Sequence, residues 1–194
     1  MDRLPLVLLL QIAGDSLDTW ISLVLAHPRV GRWSLQPEYQ KHIQRKYTKC
    51  IEYQSHKYGL IREYKLCNKW HNVDGPAVEF NYGRRVWYKH GKQYREGDLP
   101  AVEYSDGTKF WITNDHLHRE GDLPAVEDSN GTKKWYKHGE KHRDGGLPAV
   151  VCSTGTRKWY QNGKCHRDGD LPAIERSDGK REWYINGKLY FPVT

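Results

Sequence analysis

From residue 63 onward, large apolar positions return every 24 residues: Trp87, Trp111, Trp135, Trp159 and Trp183 form one such series, and Ala77, Ala101, Ala125, Ala149 and Ala173 form another. Pro76 to Pro172 and Gly83 to Gly179 keep the same step of 24. A fixed period of this length marks an array of stacked repeats. Within one unit the pattern shortens to alternation. Ala101-Val102-Glu103-Tyr104 reads as a strand, and Thr108 to Thr113 reads as a second. Ser105-Asp106-Gly107 is a tight turn between them. The next turn is His90-Gly91, Asn114-Asp115, His138-Gly139, Asn162-Gly163 or Asn186-Gly187, a two-residue hairpin signal of the type I′ kind. A short third strand then ends at Arg119. Gly121-Asp122-Leu123-Pro124 leads into the next unit, with proline at a corner because it cannot donate to a ladder. The expected fold is mainly β, a single-layer or solenoid-like stack of 24-residue β-hairpin repeats.

These turns fix a register. A three-residue loop sets Tyr104 opposite Thr108, Glu103 opposite Lys109 and Ala101 opposite Trp111. Every unit then places a small alanine against an indole, as a crowded layer requires. The same register pairs Glu79 with Arg85, Glu127 with Lys133 and Glu175 with Arg181, while Val151 faces Arg157. The second turn sets Trp111 opposite His118, Trp135 opposite His142, Trp159 opposite His166 and Trp183 opposite Tyr190. Carried back one period, it puts Glu63 in the tryptophan column and Trp70 in the histidine column. Val102 and its equivalents point with Tyr88, Tyr136, Tyr160 and Tyr184 to the other face. One face is interior and the other open to a partner; the pattern does not say which. The five tryptophans are expected to be a structural spine.

Ahead of the array stand two other segments, giving boundaries at 1–34, 35–62 and 63–194. Leu4 to Gly14 is apolar, but Asp2 offsets Arg3 and Pro5 interrupts the run, which argues against a secretory leader. Pro5 suits the first turn of a helix, Asp18 caps a second, and His27-Pro28 ends it. A small α-helical unit is expected over 1–34. Over 35–62, Pro37 opens a basic helix, and Cys50–Tyr53 and Leu60–Tyr64 form a capping hairpin.

Composition then narrows the chemistry. The net charge is +7, yet acidic and basic residues alternate, as in Arg95-Glu96-Gly97-Asp98, so a charge-laced sheet surface is favoured over nucleic-acid binding. Four cysteines, Cys50, Cys67, Cys152 and Cys165, lack metal spacing and share no column; free thiols are expected, with a Cys152–Cys165 contact left open. His142-Arg143-Asp144 and His166-Arg167-Asp168 look like the catalytic loop of protein kinases. They recur as repeat columns, with His118-Arg119-Glu120 as a variant, and read as structural. Asp98, Asp122 and Asp170 beside glycine suggest calcium turns, but Gly146 replaces one of them and ligand density is low. No catalytic residue, cofactor or metal is expected.

Two resemblances follow from these residues. Leu4, Pro5, Leu8, Ile12, Asp18, Leu23, Val24 and Arg32-Trp33 fall in an order that resembles the F-box. The unit Trp-Tyr-x-x-Gly-x-x-His-Arg-x-Gly-x-Leu-Pro-Ala is similar to MORN-like repeats abundant in large DNA viruses of amoebae, Asp74-Gly75-Pro76-Ala77 matching most closely. The combination resembles proteins of marseillevirus-type genomes. The F-box likeness implies that Leu4, Pro5, Leu8, Ile12, Leu23 and Trp33 contact a Skp-type subunit of a cullin ubiquitin ligase. The repeats would then hold a target. The alternative is a structural, minor capsid component of the virion, a stiff β scaffold between other capsid proteins. Lipid binding, sometimes proposed for MORN repeats, is a weaker third. The expected location is host cytoplasm or virion rather than the exterior, and no membrane partner is expected.

Overall fold

A computed structural model describes Arg45, 48–66 and 69–191. The F-box-like unit at 1–34, with Leu4, Pro5, Leu8, Ile12, Leu23 and Trp33, lies outside the described residues, as does nearly all of the expected basic helix. The described chain belongs almost wholly to one compact unit, Cys50–Thr194. It is β throughout.

Among the described residues, the main sheet has 14 strands, antiparallel and in chain order except for the strands set aside in hairpins. It begins with the hairpin Lys49–Ser55 and Gly59–Leu66, which matches the two strands expected of the cap. Each following unit adds two short strands, such as Val102–Glu103 and Lys109–Phe110. Four two-stranded hairpins stand off this sheet, for example Ile112–Thr113 with His116–Leu117. The stretch 108–113, read as one strand, is therefore two. Trp111 is the joint: its N–H reaches Ala125 O at 2.8 Å in the next unit, while its carbonyl turns away to accept His118 N–H at 3.1 Å. One residue serves the sheet with one backbone group and the hairpin with the other.

The register follows the turns. Glu103 faces Lys109, Glu79 faces Arg85, Glu127 faces Lys133, Glu175 faces Arg181 and Val151 faces Arg157. Tyr104 N–H bonds Thr108 O at 3.0 Å, closing the three-residue loop. Trp183 pairs with Tyr190, and the ladder of Ile112 with Leu117 brings Trp111 to His118. Asn162 and Gly163 both have positive φ, at 46° and 75°, as a type I′ turn demands. Hairpins of neighbouring units touch at these turns, where Gly139 N–H bonds Leu117 O at 2.9 Å and Gly163 N–H bonds Lys141 O at 3.0 Å.

One assignment is corrected. Tyr64, not Glu63, takes the tryptophan position, because Tyr64 N–H bonds Ala77 O at 2.7 Å just as Trp87 N–H bonds Ala101 O at 2.8 Å. His71, not Trp70, takes the histidine position: its N–H bonds Tyr64 O at 3.0 Å, and Trp70 pairs with Lys65. The loop from His71 to Ala77 is one residue shorter than that from Tyr94 to Ala101, which shifts everything before it by one place.

The alanine column is fully buried in every unit from Ala77 to Ala173, and Trp87, Trp111, Trp135 and Trp159 are buried beside it. On the opposite face Val78, Val86 and Val102 form a core with Ile61, and Tyr88 and Ile112 of the hairpins pack against it. The hairpins thus cover that face at the start of the array. Further along, Lys134 and Lys158 take the place of Val86 and Phe110, and Lys134 pairs with Asp128 at 2.7 Å. Tyr136 and Tyr160 still fill the level, and burial raises their hydroxyl pKa. Burial likewise pushes the Cys165 thiol up to about 11, so it stays protonated and unreactive at neutral pH.

Candidate interaction site

Four units each carry an arginine that ties them to a neighbour. Arg95, Arg119, Arg143 and Arg167 lie over the indole faces of Trp87, Trp111, Trp135 and Trp159, with guanidinium carbon to ring-centre distances of 3.8, 3.8, 3.9 and 3.7 Å. A cation on an aromatic face is attracted by the ring quadrupole, more strongly once desolvated. Nη1 of each then donates to a proline carbonyl five residues on, Pro100, Pro124, Pro148 or Pro172, at 3.1–3.4 Å. Where the next strand offers a glutamate, Nη1 also reaches it: Arg95 to Glu103 at 2.7 Å and Arg167 to Glu175 at 2.9 Å.

In Arg119 and Arg143 the remaining nitrogens point back to the preceding loop. Arg119 grips Asp98 through Nε at 2.8 Å and Nη2 at 2.9 Å, and Arg143 grips Asp122 at the same two distances. This two-pronged geometry is the strong form of an arginine–carboxylate pair. Hydrogen bonding to Arg119 and Arg143 holds the Asp98 and Asp122 carboxyls below the usual carboxylate range. The backbone carbonyls of these loop residues meet the indoles: Trp111 Nε1 donates to Asp98 O, Trp135 to Asp122 O and Trp183 to Asp170 O, all at 3.0 Å, and Trp159 to Gly146 O at 2.8 Å. Trp111, Trp135 and Trp159 therefore occupy equivalent places, linked through loops and guanidinium groups; Trp87 shares the guanidinium contact, and Trp183, partly exposed, shares the loop carbonyl but has Phe191 where the others have arginine.

The histidine column links the hairpins. Nδ1 of His71, His118, His142 and His166 accepts the N–H of His90, His138, Asn162 and Asn186 respectively, at 3.1–3.4 Å. Nε2 of the last three meets Glu120, Asp144 and Asp168 at 2.8–2.9 Å. Both ring nitrogens are thus committed to neighbours. His71 is the buried exception, its Nε2 without a partner among the described residues, and burial lowers its pKa to about 4.

Beside this machinery runs a row of exposed leucines. Leu99, Leu123, Leu147 and Leu171 each precede the corner proline and are 48, 41, 44 and 47% exposed. Four large apolar side chains thus stand exposed at one position of successive units, and Leu147 and Leu171 border one cavity with Arg143 and Arg167. Spacing alone gave no reason to single them out, since a leucine next to proline reads equally as corner packing. The arginines were equally hidden in the sequence. They stood in the His-Arg-Asp triplets, but their partner aspartates lie 21 residues earlier, across a unit boundary.

In comparison with known proteins, no protein-family model matches the chain, and no curated protein matches it. Among the described residues, no helix is long and apolar enough to cross a membrane.

Proposed function

We propose that this chain is a non-enzymatic interaction protein, an F-box-like adaptor whose β-repeat array presents its loop side to a target protein. The observation that carries the reading is the series of half-exposed leucines, Leu99, Leu123, Leu147 and Leu171, of which Leu147 and Leu171 border a cavity with Arg143 and Arg167. Aliphatic side chains held at fixed spacing on a hydrogen-bonded frame favour a protein partner, because little freedom is lost on binding. The histidines support a structural rather than catalytic role, since the carboxylates and backbone groups beside them use both ring nitrogens. In this reading Leu4, Pro5, Leu8, Ile12, Leu23 and Trp33 contact a Skp-type ubiquitin-ligase subunit, in host cytoplasm.

Affinity capture from host lysate with the full chain tests it. A Skp-type protein should be recovered together with a target, and Leu4→Asp should lose the first but keep the second. Recovery of neither would reject the adaptor. The regularity of the antiparallel sheet supports a second reading, a solenoid-like scaffold among capsid proteins, which its absence from purified particles by mass spectrometry would end.

A further inference from the structure

At the joint before Arg167 the aspartate is missing. Asp98 and Asp122 occupy the loop position gripped by the following arginine, and the equivalent residue before Arg167 is Gly146. Arg167 otherwise keeps its place, over Trp159 at 3.7 Å and bonded to Pro172 O and Glu175. Its Nε is buried and has no hydrogen-bond partner among the described residues. In the two complete joints that nitrogen is half of the two-pronged grip on aspartate.

The space that the missing side chain would fill is open. A Cβ built on Gly146 meets nothing within 4 Å. A cavity of about 110 Å³ lies here, bordered by Gly146, Leu147, Trp159, His166, Arg167 and Leu171. Its rim is mixed: Leu147 and Leu171 are half exposed there, beside Arg143 and Gln161. Asp168, also on the rim, is already bonded to His166 and Gln161.

We infer that this cavity receives the carboxylate of an aspartate or glutamate side chain of a partner protein, in place of the aspartate that the chain supplies to itself at the neighbouring joints. The chemistry follows from the donor set. Nε and Nη2 of one guanidinium lie in a plane and suit an acceptor with two oxygens. The complete joints show that this frame takes a carboxylate there. Leu147, Leu171 and the Trp159 ring supply apolar contact for the residues around it, and the net charge of +7 favours the approach of an acidic segment. The inference rests on the reading that the array meets a protein, and it places the contact at one joint.

The test is a side-chain ¹⁵N–¹H spectrum of the full chain, following the Nε–H signals of Arg119, Arg143 and Arg167. Titration with a blocked Gly-Asp-Leu-Pro peptide should shift the Arg167 signal saturably and leave Arg119 and Arg143 in place. The same peptide with Asn for Asp should do nothing. Gly146→Asp should abolish the response and hold the Arg167 signal near its peptide-bound position. Sodium acetate should bind more weakly than the peptide. An Arg167 signal unmoved by the aspartate peptide, or moved equally in Gly146→Asp, overturns the inference. Acetate binding as tightly as the peptide would also overturn it, by making the site one for small acids. A chain that binds the peptide but recovers no Skp-type protein fails the adaptor reading and keeps this one.

Discussion

At residue scale, one guanidinium joins an indole face, a corner carbonyl and a carboxylate from the unit before. Gly146 removes the third contact and leaves a buried N–H unpaired, which costs about 1–3 kcal/mol. Gly146→Asp should therefore stabilise the protein. The backbone permits it: Gly146 has a φ of 67°, and Asp98, Asp122 and Asp170 adopt 53–54° at the same position. Set against a partly exposed pair and the strain of a positive φ, the net gain should be about 1 kcal/mol, or about 2–4 °C in Tm by calorimetry. His71 gives a second prediction. Burial first, then His90 and Lys89, lower its pKa to about 4 from 6.5. The unfolded chain then binds the extra proton between these values, so stability is full above about pH 6.5 and falls as pH drops toward 4. His71→Gln, which still offers an acceptor to His90 N–H, should flatten that slope in urea melts at pH 7 and 5. The tryptophans and alanines were legible in the sequence, because size complementarity sits within one unit. The arginine grip was not, because its aspartate lies 21 residues away on a loop whose stacking no local pattern reports.

At the scale of the element, the hairpin turns set the register, and they were readable because a two-residue turn with glycine admits few pairings. Gly163 carries a φ of 75°, and its N–H bonds Lys141 O of the previous hairpin. Gly163→Ala should cost about 1–2 kcal/mol through the positive φ alone, since its Cβ would lie at an ordinary 3.8 Å from Glu140. Chemical denaturation would show it. The displaced first unit marks the limit of pattern reading. Glu63 and Trp70 keep the 24-residue count, but the shorter loop after His71 moves the real ladder by one, and only hydrogen bonding shows which residue holds the column. Trp111 was read inside a continuous strand for a related reason: alternation gives the pleat, not the point where a strand changes partner.

For the whole molecule, stacked modules contact their neighbours through a shared alanine–indole layer, reinforced at individual joints by arginine grips and histidine links. Stability in such an array is close to a sum of unit and interface terms. The modular frame is open to a direct trial. Excising the 24 residues 125–148 joins Pro124 to Ala149, keeps every register, and brings Asp122 to the position of Gly146 before Arg167. Equilibrium urea unfolding of that shortened chain, followed by tryptophan fluorescence and circular dichroism, is the most telling measurement. A folded protein with the same spectral shape, a smaller dependence of stability on urea and a cooperative transition is the predicted result. A chain that is unfolded or aggregated after losing one complete unit would contradict it.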